Sequence, residues 1–231
     1  MSAPLEMRAA IFDLDGTLLD SMYVWHAVDE RFFAERGLTL TPDYAKAIAG
    51  MSYRETALYT KKRYGLTEPW EEIVQIWTRM AEREYRENVR LKPGAEAYLK
   101  ALKARGVRLA VATAMPPGLF KPCLEHRGIE GLFDALLSVE DAGGRGKLSG
   151  RVFALAAEKL GVPPADCVVF EDVYEGVAGA RKAGMRAVLV YDEASAHRHG
   201  EAEALVERVI HDFTELTAEL TARQKQYAYY R

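Results

Sequence analysis

Two aspartates near the start of the chain stand one residue apart, directly after an apolar run. The run is Ala9–Phe12, and Asp13 and Asp15 follow it. Because side chains alternate along an extended backbone, positions two residues apart point to the same side of a strand. Gly16 allows a sharp turn immediately afterwards. The pattern predicts a strand that delivers two carboxylates to its C-terminal end, where ligands bind in open α/β sheets.

The two predicted carboxylates would repel each other by roughly 1–4 kcal/mol, depending on the effective dielectric constant. A fold keeps such a pair when a cation or a proton compensates the charge, or when both groups are well solvated. A bare Asp-x-Asp is most often a solvated turn. Here the apolar run precedes the pair and Gly16-Thr17-Leu18 follows it, and this longer string favours a structured site.

Four further polar residues lie at the end of a later apolar run or, for Lys147, after a glycine-rich loop, so that a parallel sheet would bring them to the same edge. They are Thr113, Lys147, Glu171 and Asp172. Each one alone is weak evidence, since acidic residues and lysines on loops are usually solvated. Their joint arrangement is much harder to obtain by chance.

The combination of these residues indicates phosphoryl transfer. A phosphate ester is anionic, so a carboxylate can attack it only when the charge is compensated. Mg²⁺ prefers one or two carboxylates together with waters and substrate oxygens, and Lys147 would add a second positive charge. The hydroxyl of Thr113 and backbone N–H groups around Leu14, Asp15 and Ala114 are candidate donors to the phosphoryl oxygens.

Between the first motif and residue 90, the apolar residues recur at helical spacing. Trp25, Val28 and Phe32 share one helix face, for example, and further helices follow up to residue 90. This pattern predicts a helical domain over residues 20–90, inserted into a core domain formed by residues 1–19 and 91–231. The alternative interpretation is that these helices pack directly on the core sheet.

From Pro93 onward, short apolar runs alternate with helical segments of 10 to 15 residues. This alternation predicts right-handed βαβ units and an α/β fold with a parallel sheet. The predicted strands cover residues 107–113, 133–139, 167–170, 186–190 and 209–210.

The composition of the 231-residue chain excludes several functional classes. The formal net charge is −3, and the absence of a basic excess argues against nucleic-acid binding. Neither a signal peptide nor a membrane-spanning apolar run is visible, so no membrane association is expected. Cys123 and Cys167 are expected to be buried free thiols of a cytoplasmic protein. A monomer is expected, because no exposed apolar stripe stands out.

The string Asp13-Leu14-Asp15-Gly16-Thr17-Leu18 resembles the first motif of the haloacid dehalogenase-like (HAD) phosphohydrolases. Three other segments extend the resemblance over nearly the whole chain. They are Leu91-Lys92-Pro93-Gly94, Phe170-Glu171-Asp172 with Gly176-Val177, and Gly50-Met51-Ser52 with Glu55, which is similar to a cap loop of β-phosphoglucomutase relatives. The resemblance implies a Rossmann-like, doubly wound parallel core with an inserted α-helical cap.

The resemblance also implies roles for the candidate residues. Asp13 matches the nucleophile that forms an aspartyl-phosphate, and Asp15 matches the general acid/base whose backbone carbonyl also touches the metal. Lys147 matches the lysine that steadies the transferring group. Asp172, with Glu171 beside it, matches the Mg²⁺ site. The aspartate at position 15 argues against dehalogenase and phosphonatase chemistry, since those members lack a carboxylate there.

Three positions depart from the pattern of these relatives. Ala114 stands where Asn is usual, Leu148–Arg151 replaces Pro-x-Pro-Asp, and Val173 replaces a common Ser. These changes bear on substrate preference and catalytic strength.

We therefore expect a Mg²⁺-dependent phosphatase for a small phosphorylated metabolite, a sugar or nucleotide phosphate, with Arg54 as a substrate-binding candidate from the cap. The alternatives are a β-phosphoglucomutase-like phosphomutase and a catalytically inactive binding protein with the same fold. The histidines show no metal-ligand spacing, and His197 and His199 are predicted to lie on a solvated surface.

Overall fold

The computed structural model describes residues 5–48 and 53–220, apart from the side chains of Lys46, Tyr53 and His197. The similarity noted for Gly50-Met51-Ser52 therefore lies outside the described residues. The described strands are β1 Ala9–Phe12, β2 Leu19–Asp20, β3 Arg90–Leu91, β4 Arg108–Thr113, β5 Ala135–Ser138, β6 Cys167–Glu171, β7 Arg186–Val190 and β8 Arg208–Ile210.

Helices precede or follow most of these strands. The named helices are α1 Val24–Ala34, α2 Tyr44–Ile48, α3 Tyr53–Tyr64, α4 Trp70–Glu87, α5 Ala95–Ala104, α6 Pro117–His126, α7 Arg151–Leu160, α8 Tyr174–Lys182 and α9 His199–Glu203. Residues 214–220 are also helical.

Six of the strands form one parallel sheet, in the order β5-β4-β1-β6-β7-β8. The strand order runs outward in both directions from β1, and Phe12 of β1 is in register with Phe170 of β6. Strands are thus added to one side of β1 as far as β5 and to its other side from β6 onward. The gap between β1 and β6 is therefore the topological switch point, where α/β sheets bind ligands. The predicted Rossmann-like parallel sheet is confirmed.

Helices cover both faces of this sheet. On one face, Phe12 stacks on Phe170 with ring centroids 4.6 Å apart, and Tyr98 of α5 meets the Phe170 ring edge-on at 5.7 Å. On the other face, Ile11 belongs to a buried apolar cluster with Phe153 of α7. Because β1 is completely buried, its residues are apolar without alternation, as is typical of a central parallel strand.

The chain divides into two compact units, Met1–Ser21 with Arg90–Arg231 and Met22–Val89. The second unit contains α1 to α4, and its centre is aromatic. The Phe33 ring meets Tyr44 at 5.0 Å and Tyr64 at 4.6 Å, while Phe32 meets Trp77 at 5.4 Å. These edge-on contacts bury the apolar stripes whose helical spacing is visible in the sequence.

A two-stranded antiparallel ladder, which the sequence did not predict, joins the ends of the larger unit's two segments. β2 pairs with β3, so that Leu19 faces Leu91 and Asp20 faces Arg90. The backbone N–H of Lys92 continues the pairing by donating to Leu18 O at 2.8 Å. Strands of two residues carry too little periodicity to be recognised in a sequence.

Two expectations from composition can be compared with the structure. Cys123 and Cys167 are both buried free thiols, as predicted. Burial raises the pKa of each thiol to about 11, so both are protonated at neutral pH. Within the described part of the chain, none of the helices combines the length and the apolar character needed to cross a bilayer.

Gly94 provides a test of the packing between the start of α5 and the segment before residue 214. Its φ is +75°, and a Cβ placed there would lie 2.5 Å from Thr214 N. We expect Gly94→Ala to lower the free energy of unfolding by at least about 3 kcal/mol, because backbone atoms must move as well as adopt a strained φ. Chemical denaturation followed by circular dichroism measures the difference.

Gly106→Ala is the matched control for Gly94→Ala. Its φ is +76°, but nothing lies within 4 Å of the added Cβ, so only the conformational cost of about 1–2 kcal/mol applies. Equal destabilisation by the two substitutions would contradict the close approach to Thr214.

Asp29 provides a test within the helical unit. It lines a cavity of about 310 Å³ with apolar neighbours such as Phe33 and Leu40. Burial raises the pKa of Asp29 to about 6, although His26 opposes the shift. Since a raised carboxyl pKa favours the folded state only while the group is protonated, this contribution is lost as the pH rises from about 4 through 6.

We therefore expect Asp29→Asn to raise the melting temperature relative to the unaltered chain at pH 8 and to leave it unchanged near pH 4. The gain is about 1 kcal/mol, because solvent screens a side chain that is only partly buried. Glu30→Gln, on the exposed side of α1, is the control and should show no such pH-dependent gain. A constant difference at all pH values would contradict the raised pKa of Asp29.

Candidate active site

The first carboxylates meet because β1 and β6 are neighbours in the sheet. Asp13 directly follows β1, and its backbone N–H donates to Phe170 O at 3.0 Å, which extends the pairing by one residue. Glu171 is the last residue of β6, and Asp172 follows it. All three side chains are buried at the C-terminal edge of the sheet.

Lys147 brings a positive charge between two of these carboxylates. Its Nζ lies 2.5 Å from Asp13 Oδ1 and 2.5 Å from Glu171 Oε1, and the side chain is only 8% exposed. Burial by itself would lower the pKa of Lys147, but the charges of Asp13 and Glu171 outweigh it and raise this pKa. The lysine is therefore held protonated between its two partners.

The three buried carboxylates carry more negative charge than Lys147 balances. Asp13, Glu171 and Asp172 each offer one oxygen, and these oxygens lie within 4.8 Å of one another. Burial is the main cause that raises the pKa of Glu171 and that of Asp172, and Asp13 adds to the shift in both cases. Backbone N–H groups partly compensate, since those of Asp172 and Val173 donate to Glu171 Oε2 at 3.1 and 3.3 Å.

The oxygen cluster fits a hard divalent cation. Its donors are carboxylates, which suit Mg²⁺ and Ca²⁺ rather than softer metals. Asp172 Oδ1 accepts a bond from Thr17 Oγ1 at 3.3 Å, whereas Asp172 Oδ2 is buried without a hydrogen-bond partner of normal geometry among the described residues. A Cβ at Gly16 would lie 2.5 Å from this oxygen, so only glycine permits the close approach.

Asp15 lies on the turn after β1 rather than in the oxygen cluster. Ser21 Oγ donates to Asp15 Oδ1 at 2.6 Å, and the side chain is partly exposed. Leu14, between the two aspartates, has a buried side chain, and its carbonyl accepts bonds from Thr17 N and Leu19 N. The role predicted for Asp15 at the metal, through its backbone carbonyl, stays a prediction.

Thr113 ends β4, the other neighbour of β1, and its side chain is buried. Its Oγ1 accepts a bond from Met115 N at 3.1 Å. This bond orients the hydroxyl oxygen and leaves its proton available for an acceptor. Ala114, by contrast, is exposed, and its methyl group cannot replace the hydrogen bonds of an Asn side chain.

Arg54 lies on α3 in the helical unit, where it is exposed. Its guanidinium carbon lies 5.4 Å from the centroid of the Trp70 ring, a distance typical of a cation–π contact. This contact is internal to the unit, and the predicted role of Arg54 in substrate binding stays a prediction.

The prediction that His199 lies on a solvated surface is wrong. The residue is 5% exposed, and its Nε2 lies 3.0 Å from the backbone O of Asp172. The missed signal is a helical spacing, because Ser195, His199 and Ala202 are all buried at intervals of four and three residues. The polar types of Ser195 and His199 hid a buried face that only the packing against Asp172 reveals.

A model of the haloacid dehalogenase-like hydrolases matches residues 7–184. The chain belongs to the haloacid dehalogenase-like hydrolase family. The match includes the strands β1, β4 and β6, at whose C-terminal ends Asp13, Thr113 and Glu171 lie, and the predicted membership is thereby confirmed.

Two curated relatives and one solved structure show how far the similarity extends. "Probable pseudouridine-5'-phosphatase" of Drosophila melanogaster is 32% identical over 187 residues, 79% of this chain and 80% of its own. Hexitol phosphatase B of Escherichia coli (strain K12) is 28% identical over 94% of this chain and 98% of its own. A candidate β-phosphoglucomutase of Thermotoga maritima superposes with a TM-score of 0.81 at 25% identity, covering 95% of this chain and 99% of its own.

These relatives confirm the predicted enzyme class, a HAD-like phosphohydrolase. The structure also shows how the segment that departs from the family pattern at residues 148–151 packs. The turn that replaces Pro-x-Pro-Asp packs backbone to backbone on α8, since a Cβ at Gly179 would overlap Lys147 O and one at Gly150 would lie 2.8 Å from Gly179 O. Glycine at position 179 therefore makes room for the backbone of Lys147.

Gly176 of α8 tests how the HAD-like site is supported. An added Cβ would overlap the carboxylate of Glu171, which bonds to Lys147. We expect Gly176→Ala to lower kcat/KM by at least about 10-fold, because a shift of the Glu171 carboxylate releases Lys147 from its position. Steady-state hydrolysis of an aryl phosphate gives the ratio, and a melting curve reports the fold.

Gly118→Ala on α6 is the matched helical control, since nothing lies within 4 Å of its added Cβ. It should retain the activity of the unaltered chain. If Gly176→Ala folds and retains full activity as well, then the placement of Glu171 beside Lys147 is not required for catalysis.

Proposed function

We propose that the protein is a Mg²⁺-dependent phosphatase that hydrolyses a small phosphorylated metabolite through an aspartyl-phosphate at Asp13. The observation that carries the proposal is the position of Lys147 Nζ, 2.5 Å from both Asp13 Oδ1 and Glu171 Oε1. A buried lysine beside a carboxylate at the switch point of the sheet compensates charge where an anionic phosphoryl group must approach.

In the first step, a carboxylate oxygen of Asp13 attacks phosphorus, and the bond from phosphorus to the ester oxygen breaks. Asp15, in its protonated form, gives its proton to that leaving oxygen, so the alcohol departs neutral. In the second step, Asp15 takes a proton from water, and the resulting oxygen attacks phosphorus. The bond to Asp13 breaks, which releases phosphate and restores both carboxyl groups.

The surrounding residues supply the charges and donors for these steps. Asp13, Glu171 and Asp172 would hold the metal, directly or through water. When bound, Mg²⁺ would neutralise charge on the phosphoryl oxygens and screen the carboxylates from one another. Lys147 supplies a second positive charge, and the Thr113 hydroxyl donates a hydrogen bond to a phosphoryl oxygen. Backbone N–H groups at Leu14 and Ala114 are further donors in this proposal.

The substrate class rests on the relatives. Their names specify a pseudouridine-5'-phosphatase and a hexitol phosphatase, so we propose a sugar phosphate or a nucleotide-like phosphate for this chain. Residues 20–90 would form the cap that selects the leaving group, with Arg54 as one substrate-binding residue. The chain is proposed to act as a cytoplasmic monomer.

A phosphomutase is the second candidate, because the Thermotoga maritima structure similar to this chain is a candidate β-phosphoglucomutase. A mutase must bind a second, distal phosphate and return the phosphoryl group to the sugar. Isomerisation of β-glucose 1-phosphate faster than its hydrolysis, followed by phosphorus NMR, would favour the mutase. Release of inorganic phosphate as the main product favours the phosphatase. The third interpretation, an inactive binding protein, is not adopted, since the Asp13–Lys147–Glu171 grouping is complete.

Asp13→Asn is the direct test of the nucleophile. We expect it to lower Mg²⁺-dependent hydrolysis of an aryl phosphate by at least about 1,000-fold, because a neutral amide cannot attack phosphorus. Removal of Mg²⁺ with a chelator should abolish the activity of the unaltered chain, and adding the metal back should restore it. A colorimetric rate assay measures both effects.

Asp166→Asn is the control for this substitution. Asp166 pairs with Arg8 at 3.3 Å near the N-terminal end of β6, away from the carboxylate cluster at the other end of the strand. Asp166→Asn should retain the hydrolysis rate of the unaltered chain. Mg²⁺-dependent turnover that survives in Asp13→Asn would rule out Asp13 as the nucleophile.

A further inference from the structure

We propose that His199, together with Ser195, is a positioning residue that holds Asp172 in the geometry needed to bind the divalent cation. The inference rests on the proposed function in one respect, namely that the Asp172 carboxylate binds Mg²⁺. Ser195 and His199 lie outside the segments that carry the family resemblance, in the segment between β7 and β8.

The hydrogen bonds of His199 determine which ring nitrogen carries the proton. Nε2 lies 3.0 Å from Asp172 O and 3.1 Å from Ser195 Oγ. A backbone carbonyl can only accept, so Nε2 must be the protonated nitrogen and the donor. Nδ1 is buried without a partner among the described residues, so it makes no competing hydrogen bond. The imidazole thus acts as a fixed N–H donor to the backbone of Asp172.

The carbonyl of Asp172 needs such a donor because it lies just outside α8. The first bond recorded at the start of this helix runs from Val177 N to Val173 O, one residue beyond Asp172. Loss of the His199 bond would leave a buried carbonyl unpaired, and the backbone that carries the Asp172 side chain would shift to find another donor.

Ser195 acts on Asp172 through His199. Ser195 is buried, and its Oγ lies 3.2 Å from Asp192 O as well as 3.1 Å from His199 Nε2. Ser195 therefore helps to fix the ring of His199 beside the backbone of Asp172.

Three contacts anchor the segment that carries Ser195 and His199. Lys92 Nζ lies 2.7 Å from Asp192 Oδ2, and both side chains are almost completely buried. Asp192 Oδ1 accepts a bond from Ala194 N at 3.0 Å. The Arg198 guanidinium lies 3.9 Å from the centroid of the Tyr174 ring, at the start of α8. Because these contacts restrain the segment from both sides, His199 can restrain Asp172 in turn.

The structure also supplies a matched control histidine. The rings of His199 and His211 both pack on Tyr191, with centroids 5.0 and 5.1 Å from it. His211 is exposed, and its backbone N–H bonds to Glu215 Oε1. A leucine at either position therefore removes an imidazole from the Tyr191 ring, but only the change at His199 removes the donor to Asp172.

The test measures Mg²⁺ binding to the full chain by calorimetry, with Mg²⁺ alone and no substrate. We expect His199→Leu to weaken Mg²⁺ binding by at least about 10-fold, the usual effect of removing a residue that orients a metal ligand. His199→Gln should recover most of the affinity, because its amide N–H reaches the position of Nε2. His211→Leu should bind as the unaltered chain does, and melting curves report the fold of each variant.

Unchanged Mg²⁺ affinity in a folded His199→Leu variant would overturn the inference, and so would equal weakening in His211→Leu. If His199→Leu does not fold, Ser195→Ala decides instead, and it must weaken binding by about 3-fold or more. An unaltered chain that binds no Mg²⁺ would overturn both this inference and the proposed metal dependence. Normal binding by the unaltered chain with no effect at His199 and Ser195 would leave the proposed function standing alone.

Discussion

The ion pairs of Lys147 with Asp13 and Glu171 are the interaction on which the site depends. Three carboxylates gather at the C-terminal edge of the sheet, and their burial would be prohibitive if all were charged and unpaired. Lys147 compensates part of that charge at 2.5 Å from two of them. The negative charge that Lys147 does not balance suits a divalent cation held by the three carboxylates.

The parallel sheet places these groups, and small residues permit their spacing. β1 lies between β4 and β6, so the residues that follow these three strands converge at the switch point. Gly16 lets Asp172 approach the turn, and Gly176 leaves space for the Glu171 carboxylate. A Cβ at either glycine would displace a carboxylate. The positions of the charged groups therefore depend on glycine in α8 and in the turn after β1.

Several features were predictable because they depend on local patterns. The apolar runs before Asp13, Thr113 and Glu171 indicated strands, and alternation with helices indicated a parallel sheet. The structure places these residues at one edge for the reason anticipated, since parallel neighbours end together. The same kind of reasoning gave the wrong burial for His199, because a polar residue in a polar segment gives no sign that it is buried. The β2–β3 ladder was too short to leave a pattern.

By itself, the sequence determined the fold class through periodicity along the chain and indicated the family through its short motifs, and it predicted which residues would perform phosphoryl transfer. Tertiary structure decided which groups share charge and which are buried. The pairing of Lys147 with both Asp13 and Glu171, and the bond from His199 to Asp172, join residues 24 to 134 positions apart. Such contacts depend on how strands and loops pack in space, and no spacing along the chain specifies them.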